Sequence, residues 1–81
     1  IISLVDYHNN VIEQSLESFK ELGNRLYGVR VDTSKNMKDK MFDNEPDNKE
    51  YYGVNIEMIK RLRKSLDEVG AKDVKIIVSS G

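Results

Sequence analysis

The sequence predicts an α/β unit of order strand–helix–strand–helix–strand, with parallel strands. Three runs rich in Val and Ile, at Ile1 to Val5, Tyr27 to Val31 and Val74 to Val78, have strand length and strand composition. Two stretches between them carry apolar residues at helical spacing. Strands separated by helices pair in parallel through right-handed crossovers. In sequential strand order both helices then lie on one face of the sheet and the other face is bare. That makes a poor independent domain and a good arc of an irregular, TIM-like α/β barrel. Residues 1–81 read as one such fragment.

The first helix starts near Asn10, a good N-cap, with Glu13 three residues on to complete a capping box. Val11, Ile12, Leu16, Phe19 and Leu22 form its apolar face, and Gly23 supplies a left-handed C-terminal residue. The second helix starts at Asn55, with Glu57 in the first turn, where a carboxylate suits the helix dipole. Ile56, Ile59, Leu62, Leu66 and Val69 form its stripe, and Gly70 ends it. The basic group Lys60, Arg61, Arg63 and Lys64 reads as a solvated outer face. The stretch 35–52 is polar, holds the only proline, Pro46, and reads as an exposed loop insertion. Within it Met37, Met41 and Phe42 form one short helical turn with a buried side. Its acidic residues do not follow calcium-loop spacing.

Composition narrows the function. The 81 residues carry 13 Lys and Arg against 14 Asp and Glu, a net charge of -1. A dedicated nucleic-acid or anionic-membrane binder has a strong basic excess, so neither partner is expected. The absence of cysteine excludes disulfides, thiolate metal sites and cysteine nucleophiles. With a single histidine, His8, a zinc site is not expected either. No apolar run reaches the roughly 20 residues of a membrane span, and no signal peptide is visible, so a cytoplasmic origin is expected. The chain starts on one strand-like run and stops just after another, as an excerpt of a longer polypeptide does.

Function in parallel α/β folds gathers at the carboxyl ends of the strands. Asp6 stands after the first strand, Arg30 with Asp32 in the second, and Ser79, Ser80 and Gly81 after the third. Residues two apart in a strand share a face. Gly28, Arg30 and Asp32 therefore face one way, and Tyr27, Val29 and Val31 face the other, toward the helices. A charged pair in a barrel interior is costly unless partnered, and so marks a ligand site, unless it is a simple internal ion pair or a strand end fully in water. Asp6 is a strand-tip carboxylate for sugar hydroxyls or a magnesium water shell, or a turn residue. The hydroxyls of Ser79 and Ser80 suit phosphate or ribose oxygens. No dinucleotide fingerprint, P-loop or nucleophile elbow is present.

Leu4-Val5-Asp6-Tyr7 and the run Leu22-Gly23-Asn24-Arg25-Leu26-Tyr27-Gly28-Val29-Arg30-Val31-Asp32-Thr33-Ser34 resemble nicotinate phosphoribosyltransferases. Tyr52-Gly53-Val54-Asn55 and Val74 to Gly81 resemble the same family in the same order. The resemblance implies an arc of the barrel of a larger enzyme. That enzyme joins nicotinate to phosphoribosyl pyrophosphate, giving nicotinate mononucleotide and pyrophosphate in NAD biosynthesis. It implies magnesium on the pyrophosphate, accompanying ATP hydrolysis, and a homo-oligomer. It places Arg30, Asp32 and Thr33 at the base and phosphoribosyl site, with Asp32 catalytic. Asp6 falls at a neighbouring strand end, and Ser79, Ser80 and Gly81 at the start of a loop near the ribose phosphate. The family's phosphorylated histidine is not matched by His8, and the second phosphate loop has no counterpart here. The 81 residues alone are therefore expected to be inactive.

Three other readings compete. One is a related nicotinamide or quinolinate phosphoribosyltransferase. Another is a receiver-type binding module, which wants a second acidic residue beside Asp6 where Tyr7 and His8 stand. The last is a non-catalytic assembly unit that associates through its bare sheet face. A chain this short with one face uncovered is expected to oligomerise or to fold only marginally.

Overall fold

The computed structural model describes residues 1–5 and 10–78. Strand β1 (Ile2–Leu4) leads to helix α1 (Val11–Leu22), strand β2 (Gly28–Val31), helix α2 (Ile56–Glu68) and strand β3 (Lys75–Val78). The strands form one open sheet in the order β1-β2-β3, all parallel. The register aligns Ile2 with Gly28 and Lys75, and Leu4 with Arg30 and Ile77. The predicted α/β order is thus present, with each strand slightly shorter than its apolar run.

One core lies between the sheet and the helices. Val5, Val29 and Val31 of the sheet side meet Val11 of α1 and Met58, Leu62 and Leu66 of α2. The hydroxyls of Ser3 and Ser18 meet at 2.8 Å and tie β1 to α1. Gly28 allows close strand packing: a Cβ there would lie 3.0 Å from the carbonyl oxygen of Lys75 and 3.2 Å from the Ile77 side chain, closer than ordinary contact.

The helix starts differ from each other. At α2 the expectation holds: the Asn55 side chain accepts from the Met58 N–H at 2.8 Å. At α1 the expected capping box is not formed. Asn10 is the N-cap by position, but its side chain donates to Glu13 and caps no backbone N–H. The Val11 N–H is taken instead by Asp39, from 28 residues away, at 2.8 Å. Gly23 and Gly70 do end the helices with positive φ, 53° and 84°.

Two buried-face expectations need correction. On α2 the buried residues are Met58, Leu62 and Leu66, one every fourth position, while Ile56 is 74% exposed and Val69 49% exposed. The core stripe therefore runs through Met58, and Ile56 and Ile59 turn toward an open flank. Tyr27, expected to face the helices, is exposed, and the buried position just before β2 is taken by Leu26, which joins the core.

The stretch 35–52 is more built than an exposed insertion. An antiparallel bridge between Lys38 and Tyr52 closes it, and the Gly53 N–H donates to the Met37 carbonyl at 2.8 Å. It holds two short 3₁₀ turns, Lys40–Phe42 and Lys49–Tyr51. Phe42 is fully buried as expected and stacks on Tyr51 with ring centroids 4.3 Å apart, whereas Met37 is exposed.

Candidate functional site

The site expected at the strand ends is built on β2. Val29 and Val31 lie fully buried under the helices, so the period of two turns Gly28 and Arg30 to the opposite face. Arg30 sits there in a shallow hollow of about 460 Å³ lined by Ile2, Leu4 and Ile77. Asp32 follows directly after the strand and is exposed. A carboxylate and a guanidinium thus stand two residues apart at the carboxyl end of the central strand. Water reaches both, so the burial cost expected of a charged pair in a barrel interior does not arise in this arrangement.

Thr33 differs from its neighbours. It is buried, and its hydroxyl oxygen has no hydrogen-bond partner. A buried hydroxyl without a partner costs free energy comparable to a lost hydrogen bond, and Thr33, in step with the buried Val29 and Val31, lies away from the open face where Arg30 stands. Arg30, Asp32 and Thr33 are therefore brought to one strand end. Asp6, Ser79, Ser80 and Gly81, and His8 with them, lie outside the described residues.

Asp39 was not expected. It is fully buried and caps two elements: it accepts from Val11 N–H of α1 and, at 3.0 Å, from Met41 N–H of the Lys40–Phe42 turn. The local half of this role is legible, since an Asp two residues before its donor is an Asx-turn pattern. The long-range half has no sequence signal. Asp39 thus fixes the start of α1 against the loop that follows β2.

The basic group on α2 is not uniformly solvated. Arg61 forms a two-pronged pair with Glu45, at 2.5 and 2.8 Å, bonds Glu57 at 3.0 Å and lies over the Phe42 ring. Those hydrogen bonds hold the Glu45 carboxyl below its usual range and push the Arg61 guanidinium higher still. Arg63 bonds Asp67 and the carbonyls of Ala71 and Val74, bracing the turn into β3. Lys60 and Lys64 are exposed, as expected of an outer face.

Among the described residues no group of three or more His, Cys, Asp or Glu gathers to hold a metal ion. Among them, too, no helix is long and apolar enough to cross a membrane. Set beside known proteins, the chain matches no protein-family model, no curated protein and no solved structure.

Proposed function

We propose that this chain is an arc of the α/β barrel of a nicotinate phosphoribosyltransferase, with its ligand side on the helix-free face of the sheet. The observation that carries the reading is the placement of Arg30 and Asp32 together at the carboxyl end of β2, Arg30 in a hollow on that face. The motif Gly28 to Ser34 supports the choice of family.

The chemistry suits these groups. Departure of pyrophosphate builds positive charge on the ribose ring and negative charge on the leaving group. Asp32 holds ribose hydroxyls or balances the ring charge. The planar fork of Arg30 binds a phosphate or lies against the nicotinate ring and its carboxylate. Magnesium neutralises pyrophosphate charge when bound. Such an ion keeps several waters and takes one or two carboxylates, so Asp32 with the substrate's phosphates fits it, and a cage of protein ligands is not needed.

The test is made on the enzyme that contains residues 1–81, incubated with nicotinate, phosphoribosyl pyrophosphate, magnesium and ATP. Chromatography is expected to show nicotinate mononucleotide, and Asp32→Asn to abolish it while the protein stays folded. No product from the folded enzyme overturns the reading for nicotinate. Nicotinamide and quinolinate are then the bases to try. A second reading, an assembly unit, is favoured by Ile2 and Leu4, 52% and 56% exposed on the bare face. A solution mass that rises with concentration, and falls back when Leu4 is made Ser, would support it.

A further inference from the structure

The connection that leaves β2 is held close to the candidate site by a glycine far along the chain. Asp32 follows the strand, and buried Thr33 separates it from Ser34 and Lys35. The backbone of those two residues lies directly against Gly53. A Cβ built on Gly53 would stand 3.3 Å from the Lys35 Cα and 3.6 Å from the Ser34 carbonyl oxygen. Gly53 is buried, and its φ of 70° is one that side chains adopt only with strain. Its N–H donates to the Met37 carbonyl at 2.8 Å, and the Met37 N–H donates to the Ser34 carbonyl at 3.0 Å. Gly53 is in turn fixed to α2. The Asn55 side-chain amide donates to the carbonyls of Gly53, at 3.1 Å, and Tyr51, at 3.2 Å, while its oxygen caps the Met58 N–H.

We propose that Gly53 is a positioning residue for Asp32, a role that rests on the phosphoribosyltransferase reading. The atoms that a side chain at position 53 meets first are all main chain, so no flexible side chain can yield to it and the backbone of Ser34 and Lys35 must move. Asp32 is two residues from Ser34, so the movement shifts its carboxylate relative to Arg30, which is held within the strand. A carboxylate that balances charge on the ribose ring acts in the transition state, where small displacements cost rate. Gly70 provides the contrast. Its φ is 84°, but nothing lies within 4 Å of a Cβ there. It stands between α2 and β3, at the opposite end of the sheet from Asp32. Alanine therefore meets a strained backbone at both glycines and displaces the site at one.

The test uses the enzyme that contains residues 1–81. Gly53→Ala is expected to lower kcat about tenfold with KM for phosphoribosyl pyrophosphate near its native value, the pattern of a group misplaced for the transition state. Gly70→Ala should leave kcat unchanged. Amide hydrogen exchange should quicken at Met37 in Gly53→Ala and not in Gly70→Ala. Asn55→Asp keeps an acceptor for the Met58 N–H but loses the donor to Gly53. It should lower kcat in the same way by less, and it decides the matter if Gly53→Ala does not fold. Equal kcat in the two glycine variants, a change in KM alone, or exchange at Met37 indifferent to Gly53→Ala would overturn the inference. A folded native enzyme that forms no product overturns the phosphoribosyl reading and this role within it. Met37 exchange, read on the same proteins, separates that case from a Gly53 that holds nothing.

Discussion

Arg30 and Val31 are adjacent in the chain and opposite in environment. Val31 is fully buried between the sheet and the helices, while Arg30 stands exposed in a hollow with Ile2, Leu4 and Ile77. The same contrast divides the whole molecule. The helix side of the sheet carries the core, a remote cap from Asp39 and the Arg61 network. The other side carries apolar and charged groups with no layer over them among the described residues. Buried packing is concentrated on one face of β2, and exposed charged and apolar groups stand on the other. The faces can therefore be perturbed separately.

The largest expected effect is on the covered face. Leu62→Ala empties a fully buried position and should cost about 2–5 kcal/mol. For a chain of this size that is enough to leave much of it unfolded in water, as urea titration or thermal circular dichroism would read. A cost within about 0.5 kcal/mol, the usual effect of a surface change, would break the contrast.

Asp39→Ala comes next, since it strips the N–H groups of Val11 and Met41 of a buried acceptor. About 1–3 kcal/mol should be lost, and amide hydrogen exchange should quicken first at the start of α1. Asp39→Asn, which keeps one oxygen acceptor, should cost less.

The Glu45–Arg61 pair sharpens the contrast through pH. The folded Glu45 carboxyl is held below its usual value, first by the hydrogen bond from Arg61. Its stabilising contribution is therefore complete above the unfolded carboxylate range, near pH 4.3, and is lost as pH falls through the lower folded value. Urea midpoints of the native chain and of Glu45→Gln should differ at pH 6 and converge at strongly acidic pH. A gap that persists in acid would show that the side chain acts by packing and not by charge.

The smallest effect belongs to the bare face. Leu4→Ser removes an apolar group that water already reaches, and stability should change by no more than about 0.5 kcal/mol.

Much of the fold was legible because it is local. Three Val- and Ile-rich runs, the Asn55 cap and the glycines after both helices each announce themselves within a few residues. The alternation of Gly28, Val29, Arg30 and Val31 likewise told which side chains share a face. What escaped was tertiary. Asp39 reaches across 28 residues to cap α1, and Glu45 across 16 to clasp Arg61. Neither spacing leaves a periodic trace, so 35–52 looked like exposed loop and Arg61 like solvated surface. Met58 escaped for another reason: isoleucines at 56 and 59 drew the apolar stripe onto a flank that remains open. At the candidate site the strand-end position of Arg30 and Asp32 was legible. The burial of Thr33 was not, because it depends on what packs over the strand end.

The absence of native cysteine allows a direct measurement on the bare face. Leu4→Cys and Val31→Cys each introduce a single thiol, one on each side of the sheet. Thiol-reagent kinetics are expected to show Leu4→Cys reacting nearly as fast as an unstructured thiol and Val31→Cys strongly protected. Phosphoribosyl pyrophosphate with magnesium is expected to slow Leu4→Cys alone, by occupying the hollow beside Arg30. Equal reactivity of the two thiols would contradict a sheet with one covered and one open face, and a Leu4→Cys rate indifferent to that ligand would contradict the proposal that the open face takes the substrate.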